Sequence, residues 1–349
     1  MVVGLGPAGA TAARMAARAG LRVLAVDRKR RLGEPVQCAE FIPPPLLGLA
    51  RAVGAVRQPI SAMATSLPSG ASRVSEFRGA VIDRAVFDRA LARRAAESGV
   101  ELWTGTTLRT LDAAGATARV YRWGQAREVR YRMLVAADGP RSAVAKALTL
   151  PPLATVRALQ GCVRLCRPDD RTRVWLSDAF AGGYAWLFPK GAVANLGLGV
   201  DRRFVHHPGD TLRRLHRTLV DDGEVEPTLT MPTAGLIPCG GLRALLHQGN
   251  ILFAGDAAGT AHPITGAGIE AAIATGELAG EAVADALRVG HTGALEAYAE
   301  ELRERFDTAF GRALARRAEL VRRWSQGRRL DDGAARRGWI AFDEYYAPF

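Results

Sequence analysis

The feature that most constrains this fold is a glycine turn that begins at the fourth residue of the chain. Gly4, Gly6 and Gly9 form the pattern G-x-G-x-x-G between a short apolar segment, residues 1–3, and an alanine-rich segment. A second apolar segment follows and ends on Asp27. A strand, a glycine turn, a helix and a second strand with an acid about 20 residues further on are typical of a dinucleotide-binding βαβ unit. The spacing therefore predicts a Rossmann-type fold.

The positions of the turn have separate predicted roles. Gly4 permits the tight turn, Gly6 lets the backbone approach a pyrophosphate, and Gly9 allows the helix to pack closely on the sheet. Pro7 and Ala8 lie at the helix start, where free N–H groups and a partial positive charge stabilise a diphosphate. We predict that all five residues bind the cofactor.

Acids at the ends of apolar segments supply the rest of this predicted site. Asp27 is expected to accept hydrogen bonds from a ribose hydroxyl, and Arg28 beside it is included in the site. Asp138 opens an Asp-Gly turn before a helix, so its carboxylate can meet polar groups of the cofactor. A late buried segment also ends on an acid, and the glycine-rich helix start that follows can stabilise negative charge on a reduced flavin. The predicted cofactor residues of this late motif are Gly255, Asp256, Gly266, Ala267 and Gly268.

Composition limits the functional classes. The chain has 349 residues and a net charge of +12 that is nearly all arginine, which can reflect genomic base composition. The charge also allows attraction to acidic lipid headgroups, and hence peripheral membrane contact, whereas no recognised nucleic-acid module is present. No apolar run reaches about 18 residues, so no membrane span is expected. The cysteines lack metal-ligand spacing and no signal peptide precedes the glycine turn, which predicts a cytoplasmic protein without a metal site.

The middle of the chain carries a more specific signal. Residues 184–190 read Y-A-W-L-F-P-K, and N-L-G-L-G follows at 195–199. Together with the cysteine–glutamate loop at 35–42 and Arg84, these segments resemble the geranylgeranyl reductase family of FAD-dependent oxidoreductases. That family is related in fold to aromatic hydroxylases and flavin halogenases. The resemblance covers about residues 1–290.

The resemblance implies an α/β fold with a Rossmann-type, discontinuous FAD-binding domain. Short alternating segments from about 151 to 240 predict an inserted antiparallel β-sheet that binds substrate, and the C-terminal region is predicted to be helical. The predicted boundaries are 1–55, 80–150 and 241–290 for the FAD-binding domain, 56–79 and 151–240 for the substrate-binding sheet, and 291–349 for the C-terminal helical region.

The resemblance also implies a reaction, in which reduced FAD delivers a hydride to a C=C bond of a prenyl or other apolar substrate while an acid supplies the proton. The candidate proton donors are Cys38, Glu40 and His262. The alternatives are a buried packing thiol at Cys38 and a structural hydrogen-bonding role for His262. No second G-x-G-x-x-G is present, so NAD(P)H or ferredoxin is expected as a transient electron donor.

An aromatic strand is the predicted substrate wall. Tyr184, Trp186 and Phe188 alternate along the chain, so their side chains point to one face of a strand. They can line an apolar pocket or form an ordinary sheet core. Arg84 is expected to reach the cofactor, as in the family, and Lys190 is expected to be solvated.

Two other functions fit the same cofactor motifs. The first is a single-component flavin monooxygenase that hydroxylates an aromatic or electron-rich substrate. Hydroxylases usually carry a histidine where this chain has Gly259, and halogenases a tryptophan where it has Tyr184, which favours the reductase. The second is a prenyl-chain carrier without redox chemistry, which the intact glycine motifs oppose. Ala39 and Ala267 depart from the family pattern, which commonly has a glycine and an acid there.

Overall fold

The computed structural model describes residues 1–290 and 293–348, which form three β-sheets and a set of helices. A six-stranded sheet carries the glycine turn. All its neighbouring strands are parallel except one pair at an edge. Its strands are, in spatial order, His247–Gln248, Ile251–Phe253, Leu134–Ala136, Val2–Val3, Leu24–Val26 and Glu101–Trp103. The predicted Rossmann-type sheet is confirmed.

This topology brings distant acids to one edge of the sheet. The first strand pairs in parallel with the strands before Asp27 and Asp138, and the latter pairs with the strand before Asp256. Because parallel strands end at the same edge, these three acids gather around the turn that contains Gly4. The edge is the place where such sheets bind ligands.

Small residues hold the helix of the glycine turn, Pro7–Arg18, against a late helix, Ile269–Val289. A Cβ added to Gly276 would lie 2.4 Å from the carbonyl oxygen of Ala8, and Gly280 is packed almost as closely on the same helix. A larger side chain at either glycine would push the two helices apart. The first and last segments of the predicted FAD-binding domain are therefore in direct contact.

A nine-stranded sheet, called the roof sheet below, forms most of the inserted unit. The predicted antiparallel arrangement holds for all its strand pairs except one, because Arg171–Trp175 runs parallel to Val56–Ser66. The two arms of the insertion meet at that pair, and no local pattern determines their relative direction. The strands are Phe41–Ile42, Val56–Ser66, Ser72–Ile82, Thr155–Leu165, Arg171–Trp175, Tyr184–Lys190, Val193–Val200, Val225–Leu229 and Thr233–Pro238.

The boundary predicted between residues 79 and 80 differs from the strand ends. It falls inside Ser72–Ile82, which stays in the roof sheet to its last residue. The strand Phe41–Ile42, predicted as part of the FAD-binding domain, pairs with the end of Ser72–Ile82. Hydrogen bonding between segments far apart in sequence sets these limits, whereas the composition of either segment does not.

The remaining elements lie around these two sheets. A small sheet contains the strands Thr106–Asp112, Thr117–Arg122 and Gln125–Arg130. Further helices are Leu47–Ala52, Arg84–Glu97, Ala143–Ala147 and Pro208–Asp221. None of the helices within 1–290 and 293–348 combines the length and apolar character needed to cross a bilayer.

The C-terminal region is helical, as predicted, and packs on the roof sheet. Buried Arg316 donates hydrogen bonds to the carbonyl oxygens of Glu344 and Ala347, at 3.1 and 2.6 Å. The ring of Trp339 lies edge-on to Tyr184, with centroids 4.8 Å apart. These contacts join the chain end to the aromatic strand. The helices are Gly293–Ser325, Asp332–Arg337 and Asp343–Tyr346.

Candidate flavin and substrate site

The three glycines of the turn have different surroundings, and only Gly6 faces open space. Gly4 has φ +99°, and an added Cβ would lie 2.2 Å from the carbonyl oxygen of Ala137. A Cβ on Gly9 would lie 1.9 Å from the carbonyl oxygen of Gly4. A Cβ on Gly6 would meet no described atom within 4 Å. Packing therefore requires the first and third glycines, whereas Gly6 leaves open space at the helix N-terminus, which fits a pyrophosphate.

Asp27 stands beside this turn with a fixed carboxylate. Its Oδ2 accepts a hydrogen bond from the backbone N–H of Leu5, and its Oδ1 accepts one from Lys29 N–H, both at 2.7 Å. A carboxylate has further lone pairs, so the group can still accept from a ribose hydroxyl. Arg28 is exposed and its assignment to the cofactor stays a prediction.

Asp138 carries an unpaired acceptor at the same sheet edge. Its Oδ2 accepts from the N–H groups of Ala143 and Val144, at 2.6 and 3.3 Å. Its Oδ1 is buried and has no hydrogen-bond partner among the described residues. Burial raises the pKa of this carboxyl group. A buried acceptor without a partner is costly, so it fits a site that a cofactor hydroxyl completes.

Asp256 is a second acid of the site with a raised pKa. Burial raises its pKa to about 6, and the guanidinium of Arg84 opposes that rise. An added Cβ on Gly268 would lie 3.4 Å from its Oδ1, and one on Gly255 would lie 2.8 Å from Ala8 Cβ. The late motif therefore touches the glycine turn. Perturbed carboxylates are common at functional sites.

His262 organises the loop that precedes the late helix. Its Nδ1 accepts from the N–H groups of Ile264 and Thr265, at 3.3 and 3.2 Å. Its backbone N–H donates to the carbonyl oxygen of Ala267, and its own carbonyl accepts from Gly266 N–H. Burial lowers the pKa of His262 to about 4, so the imidazole is neutral at pH 7. This geometry is that of a structural acceptor that shapes the Gly266–Gly268 segment.

Glu40 is a fully paired, buried carboxylate in a strained backbone position. The residue has φ +71° and is 2% exposed. Its Oε2 accepts from Lys190 Nζ at 2.7 Å and from Asn195 Nδ2 at 2.8 Å, and its Oε1 accepts from Arg84 N–H at 2.8 Å. Lys190, expected to be solvated, instead neutralises this acid. The three donors bind both oxygens of the carboxyl group and fix its position.

Cys38 lies in the same loop and retains its proton. Its Sγ accepts from Glu40 N–H at 3.2 Å, and burial raises the pKa of the thiol while Arg84 opposes the rise. The carbonyl oxygen of Cys38 accepts from Gln160 Nε2 at 2.8 Å, and Gln160 Oε1 accepts from Trp186 Nε1 at 2.9 Å. Gln160 therefore ties the cysteine loop to the aromatic strand.

Several of these partners have no clear signal in the sequence. Arg84 donates two hydrogen bonds of 3.0 Å to the carboxylate of Asp88. The only sequence signal for this partner is that Asp88 follows Arg84 by four residues, one turn along a helix. Asn195 stands in the N-L-G-L-G segment that follows the aromatic strand. Gln160 shows no local pattern, because its two partners come from distant elements.

Two cavities adjoin the aromatic strand. The inner cavity is lined by Tyr184, Trp186 and Ile237 and reaches Gly266. The outer cavity lies beneath the C-terminal helices. The Tyr184 hydroxyl donates to the carbonyl oxygen of Thr265 at 2.5 Å and so closes part of the inner wall. The residues common to both cavities are Gly182, Gly183, Tyr184, Ile264 and Arg317.

Phe188 differs from its two neighbours on the strand. It is 7% exposed and its ring lies edge-on to Phe41, with centroids 6.3 Å apart. Phe41 in turn stacks on Phe77. Phe188 is not among the residues that line these two cavities, and its place in the substrate pocket stays a prediction. The strand places it beyond the cavity, where its partners are core residues.

Known proteins are similar to this chain in sequence and in fold. A family model described as an FAD binding domain matches residues 1–162. The chain is 31% identical over 339 residues to digeranylgeranylglycerophospholipid reductase of Methanocella arvoryzae, with 90% of this chain and 84% of that protein covered. It is 34% identical over 337 residues to a reductase of the same name from Methanopyrus kandleri, with the same coverage. The chain belongs to the geranylgeranyl reductase family. It is an FAD-dependent oxidoreductase.

Solved structures agree with this assignment. A geranylgeranyl bacteriochlorophyll reductase-like protein of Thermoplasma acidophilum has a TM-score of 0.84 and 25% identity, covering 98% of this chain and 91% of that one. The flavin-dependent halogenase CmlS has a TM-score of 0.73 at 18% identity, covering 90% and 63%, and shares the fold alone.

Gly259 separates this reductase-family chain from the hydroxylase pattern. It has φ +84°, and an added Cβ would lie 2.2 Å from the carbonyl oxygen of Gly241. A histidine at this position would clash with backbone. The loop here is therefore built for glycine.

Proposed function

We propose that this protein reduces C=C bonds of prenyl chains carried by a lipid or a prenyl phosphate. The curated relatives are named as reductases of digeranylgeranylglycerophospholipids. The observation that carries the proposal is the apolar inner cavity, which joins Tyr184 and Trp186 to Gly266 in the predicted flavin loop.

The cofactor site is proposed to follow the sheet edge. The helix start after Gly6 would hold the diphosphate, Asp27 a ribose hydroxyl, and Asp138 and Asp256 further hydroxyls of FAD. When bound and reduced, FAD supplies the hydride for one carbon of the double bond. We propose that NAD(P)H or ferredoxin restores the electron pair by transient contact.

Cys38 is the proposed source of the proton for the second carbon. Its thiol is protonated at neutral pH, because burial raises its pKa. Gln160 and Glu40 hold the loop that carries it, through the carbonyl oxygen and the Sγ of Cys38. The roles proposed for Glu40 and His262 are positional, since the first is paired by Lys190 and the second is a neutral acceptor.

The experiment is anaerobic reduction of the purified flavoprotein, followed by addition of geranylgeranyl compounds and mass spectrometry of the products. We expect each reduced double bond to gain two hydrogens. Cys38→Ala should slow product formation about 10²- to 10⁴-fold with unchanged flavin content, as for loss of a general acid. Cys162→Ala, at a half-buried cysteine elsewhere on the roof sheet, is the matched control.

Two outcomes would contradict the proposal. Uptake of an oxygen atom from O₂ into the substrate would indicate a monooxygenase. A preparation that binds prenyl compounds but returns them unchanged after flavin reduction would indicate a carrier.

A further inference from the structure

Arg84 contacts two ionisable groups at once, the carboxylate of Asp88 and the thiol of Cys38. It opens the helix Arg84–Glu97, and its Nε and Nη2 donate to the two carboxylate oxygens of Asp88, at 3.0 Å each. The same guanidinium reaches the thiol of Cys38. The side chain of Arg84 is 16% exposed and that of Asp88 is 9% exposed, so water and salt screen these contacts little.

The backbone of the cysteine loop joins Arg84 to the thiol by a second route. The backbone N–H of Arg84 donates to Glu40 Oε1 at 2.8 Å, and the backbone N–H of Glu40 donates to Cys38 Sγ at 3.2 Å. Lys190 and Asn195 bind the other carboxylate oxygen of Glu40. The helix start and the cysteine loop are therefore held together by bonds that do not use the guanidinium, and a change of the Arg84 side chain leaves those bonds in place.

Two opposite charges act on the buried thiol. Burial raises the pKa of Cys38, the positive charge of Arg84 opposes that rise, and the negative charge of Glu40 adds to it. The effect of Glu40 is weakened by its ion pair with Lys190. A cation beside a thiol favours the thiolate form. The other ionisable groups that face Arg84 or Cys38 come from separate elements and are Tyr184, Asp256 and Lys29.

Asp88 reduces the effect of the guanidinium on the thiol. Its carboxylate binds two of the five N–H donors of Arg84 and offsets part of the positive charge. An unpaired guanidinium would favour the thiolate, which has no proton to donate. A neutral side chain in place of Arg84 would leave the thiolate buried without a cation after proton transfer. A proton donor needs a proton before the transfer and a stabilised anion after it.

We propose that Arg84 and Asp88 are positioning residues that together set the acidity of the Cys38 thiol. Arg84 stabilises the thiolate that proton transfer leaves, and Asp88 limits this effect so that the thiol is protonated beforehand. In the step, the S–H bond breaks, its electron pair stays on Sγ beside the guanidinium, and the proton forms a C–H bond with the electron pair of the double bond. A solvent proton restores the thiol. This inference rests on the proposed function, in which Cys38 gives the proton.

The test is a titration of the Cys38 thiol in the flavin-free protein. Thiolate absorbance near about 240 nm is followed from about pH 6 to about pH 11, and each variant is compared with its own Cys38→Ala partner. The double variant Arg84→Met, Asp88→Asn removes both charges, so neither remains buried without its partner. We expect it to lower the thiolate fraction at a given pH at least about tenfold. Asp88→Asn alone should raise that fraction at least about threefold, because Arg84 loses its counter-charge.

Further variants separate the charge effect from folding. Arg84→Lys keeps the charge without the planar fork and should fall between wild type and the double variant. Arg93→Met removes an exposed arginine from the same helix and should leave the titration unchanged. Thermal unfolding at pH 7 verifies that each titrated protein is folded.

The pH profile of double-bond reduction per bound flavin is the second readout. The rate should fall as pH rises through the pKa of the thiol, since only the protonated form donates. This alkaline limb should move to higher pH in the double variant and to lower pH in Asp88→Asn. A pair with a structural role alone would change stability and would not move the limb in opposite directions.

The failures are distinguishable. A change in thiolate fraction of less than about twofold in both folded variants, or a change of the same sign in both, would show that the inference is wrong. If the titrations shift as expected and the alkaline limb does not follow them, the inference on acidity holds and Cys38 is not the proton donor. If wild type reduces no prenyl compound, the proposed function itself is wrong, whatever the titration gives.

Discussion

Lys190 Nζ lies 2.7 Å from Glu40 Oε2, and the Glu40 side chain is 2% exposed. The pair joins the end of the aromatic strand to the cysteine loop. Taking two charges out of water is costly, and the hydrogen bonds from Asn195 and from Arg84 N–H complete the set that offsets this cost. Removing one partner leaves the other charge buried.

We therefore expect Lys190→Met to lower the free energy of unfolding by about 3–5 kcal/mol, measured by urea denaturation of the flavin-free protein. The double variant Glu40→Gln, Lys190→Met should recover a large part of that loss. Arg305→Met, which breaks an exposed ion pair with Glu301, is the control and should cost less than about 1 kcal/mol. Equal losses of unfolding free energy for Lys190→Met and Arg305→Met would contradict the larger cost expected for breaking the buried pair.

Gly6 and Gly9 are predicted to respond in opposite ways to the same substitution. A Cβ on Gly6 meets open space, so Gly6→Ala should change the stability of the flavin-free protein by less than about 1 kcal/mol. It should weaken FAD binding at least about tenfold, because the methyl group lies where the pyrophosphate approaches. Gly9→Ala should instead destabilise the fold by more than about 3 kcal/mol. Thermal unfolding and fluorescence titration with FAD measure the two effects, and an unchanged FAD affinity in Gly6→Ala would place the diphosphate elsewhere.

Asp256 is predicted to lower the stability of the flavin-free protein and to contribute to FAD binding. Its pKa in the folded, flavin-free protein is about 6, above the unfolded value of 3.8, so the folded state binds the proton more tightly. Because the folded state binds this proton more tightly than the unfolded state, ionisation of Asp256 lowers the free energy of unfolding as pH rises from about 4 to about 6. Asp256→Asn should stabilise the flavin-free protein at pH 7 by roughly 2 kcal/mol and weaken FAD binding.

The measurement is thermal unfolding of flavin-free wild type and Asp256→Asn across that pH range, with a parallel FAD titration. Asp307→Asn, at an exposed acid on the long C-terminal helix, should change neither quantity. A variant that is less stable than wild type at pH 7 would contradict the expected sign.

His262 is predicted to act on the fold and little on the chemistry. Its pKa is about 4 in the folded protein, below the ordinary value of 6.5, so its stabilising contribution is present above pH 6.5 and is lost as pH falls through about 4. His262→Leu leaves the N–H groups of Ile264 and Thr265 without their acceptor and should destabilise the protein by about 1–3 kcal/mol. In the variant, the free energy of unfolding should also depend less on pH between about 4 and 6.5.

The rate of double-bond reduction per bound flavin should fall less than about tenfold in His262→Leu, because loss of a proton donor would reduce it about 10²- to 10⁴-fold. His206→Leu, at an exposed histidine, is the control for both measurements. A reduction in rate of the larger size, with full flavin content, would return His262 to the list of proton donors.

Local patterns predicted much of the fold. The glycine turn and the acids at Asp27, Asp138 and Asp256 follow parallel strands, and parallel strands end at one edge, so these residues could be grouped before the structure was known. The one parallel pair in the roof sheet could not be predicted, because it joins segments whose pairing depends on the path of the whole insertion.

The candidate site was predicted in part. Cys38 and Glu40 share a loop with a recognisable pattern, but the pattern does not show that Glu40 is neutralised by Lys190 or that Gln160 holds the loop. The alternation of Tyr184, Trp186 and Phe188 correctly places them on one face. Which of them meets a cavity depends on Phe41 and on the C-terminal helices, which come from other parts of the chain.

The amino-acid sequence by itself determined the cofactor class, the parallel sheet and the family, because these depend on glycines and acids at short, repeated spacings. The tertiary structure alone decided which ionisable groups are paired, which keep a proton and where apolar space remains. Those properties depend on desolvation and on contacts between distant segments, as at Arg317, whose place between two cavities follows from helices and loops more than a hundred positions apart in sequence.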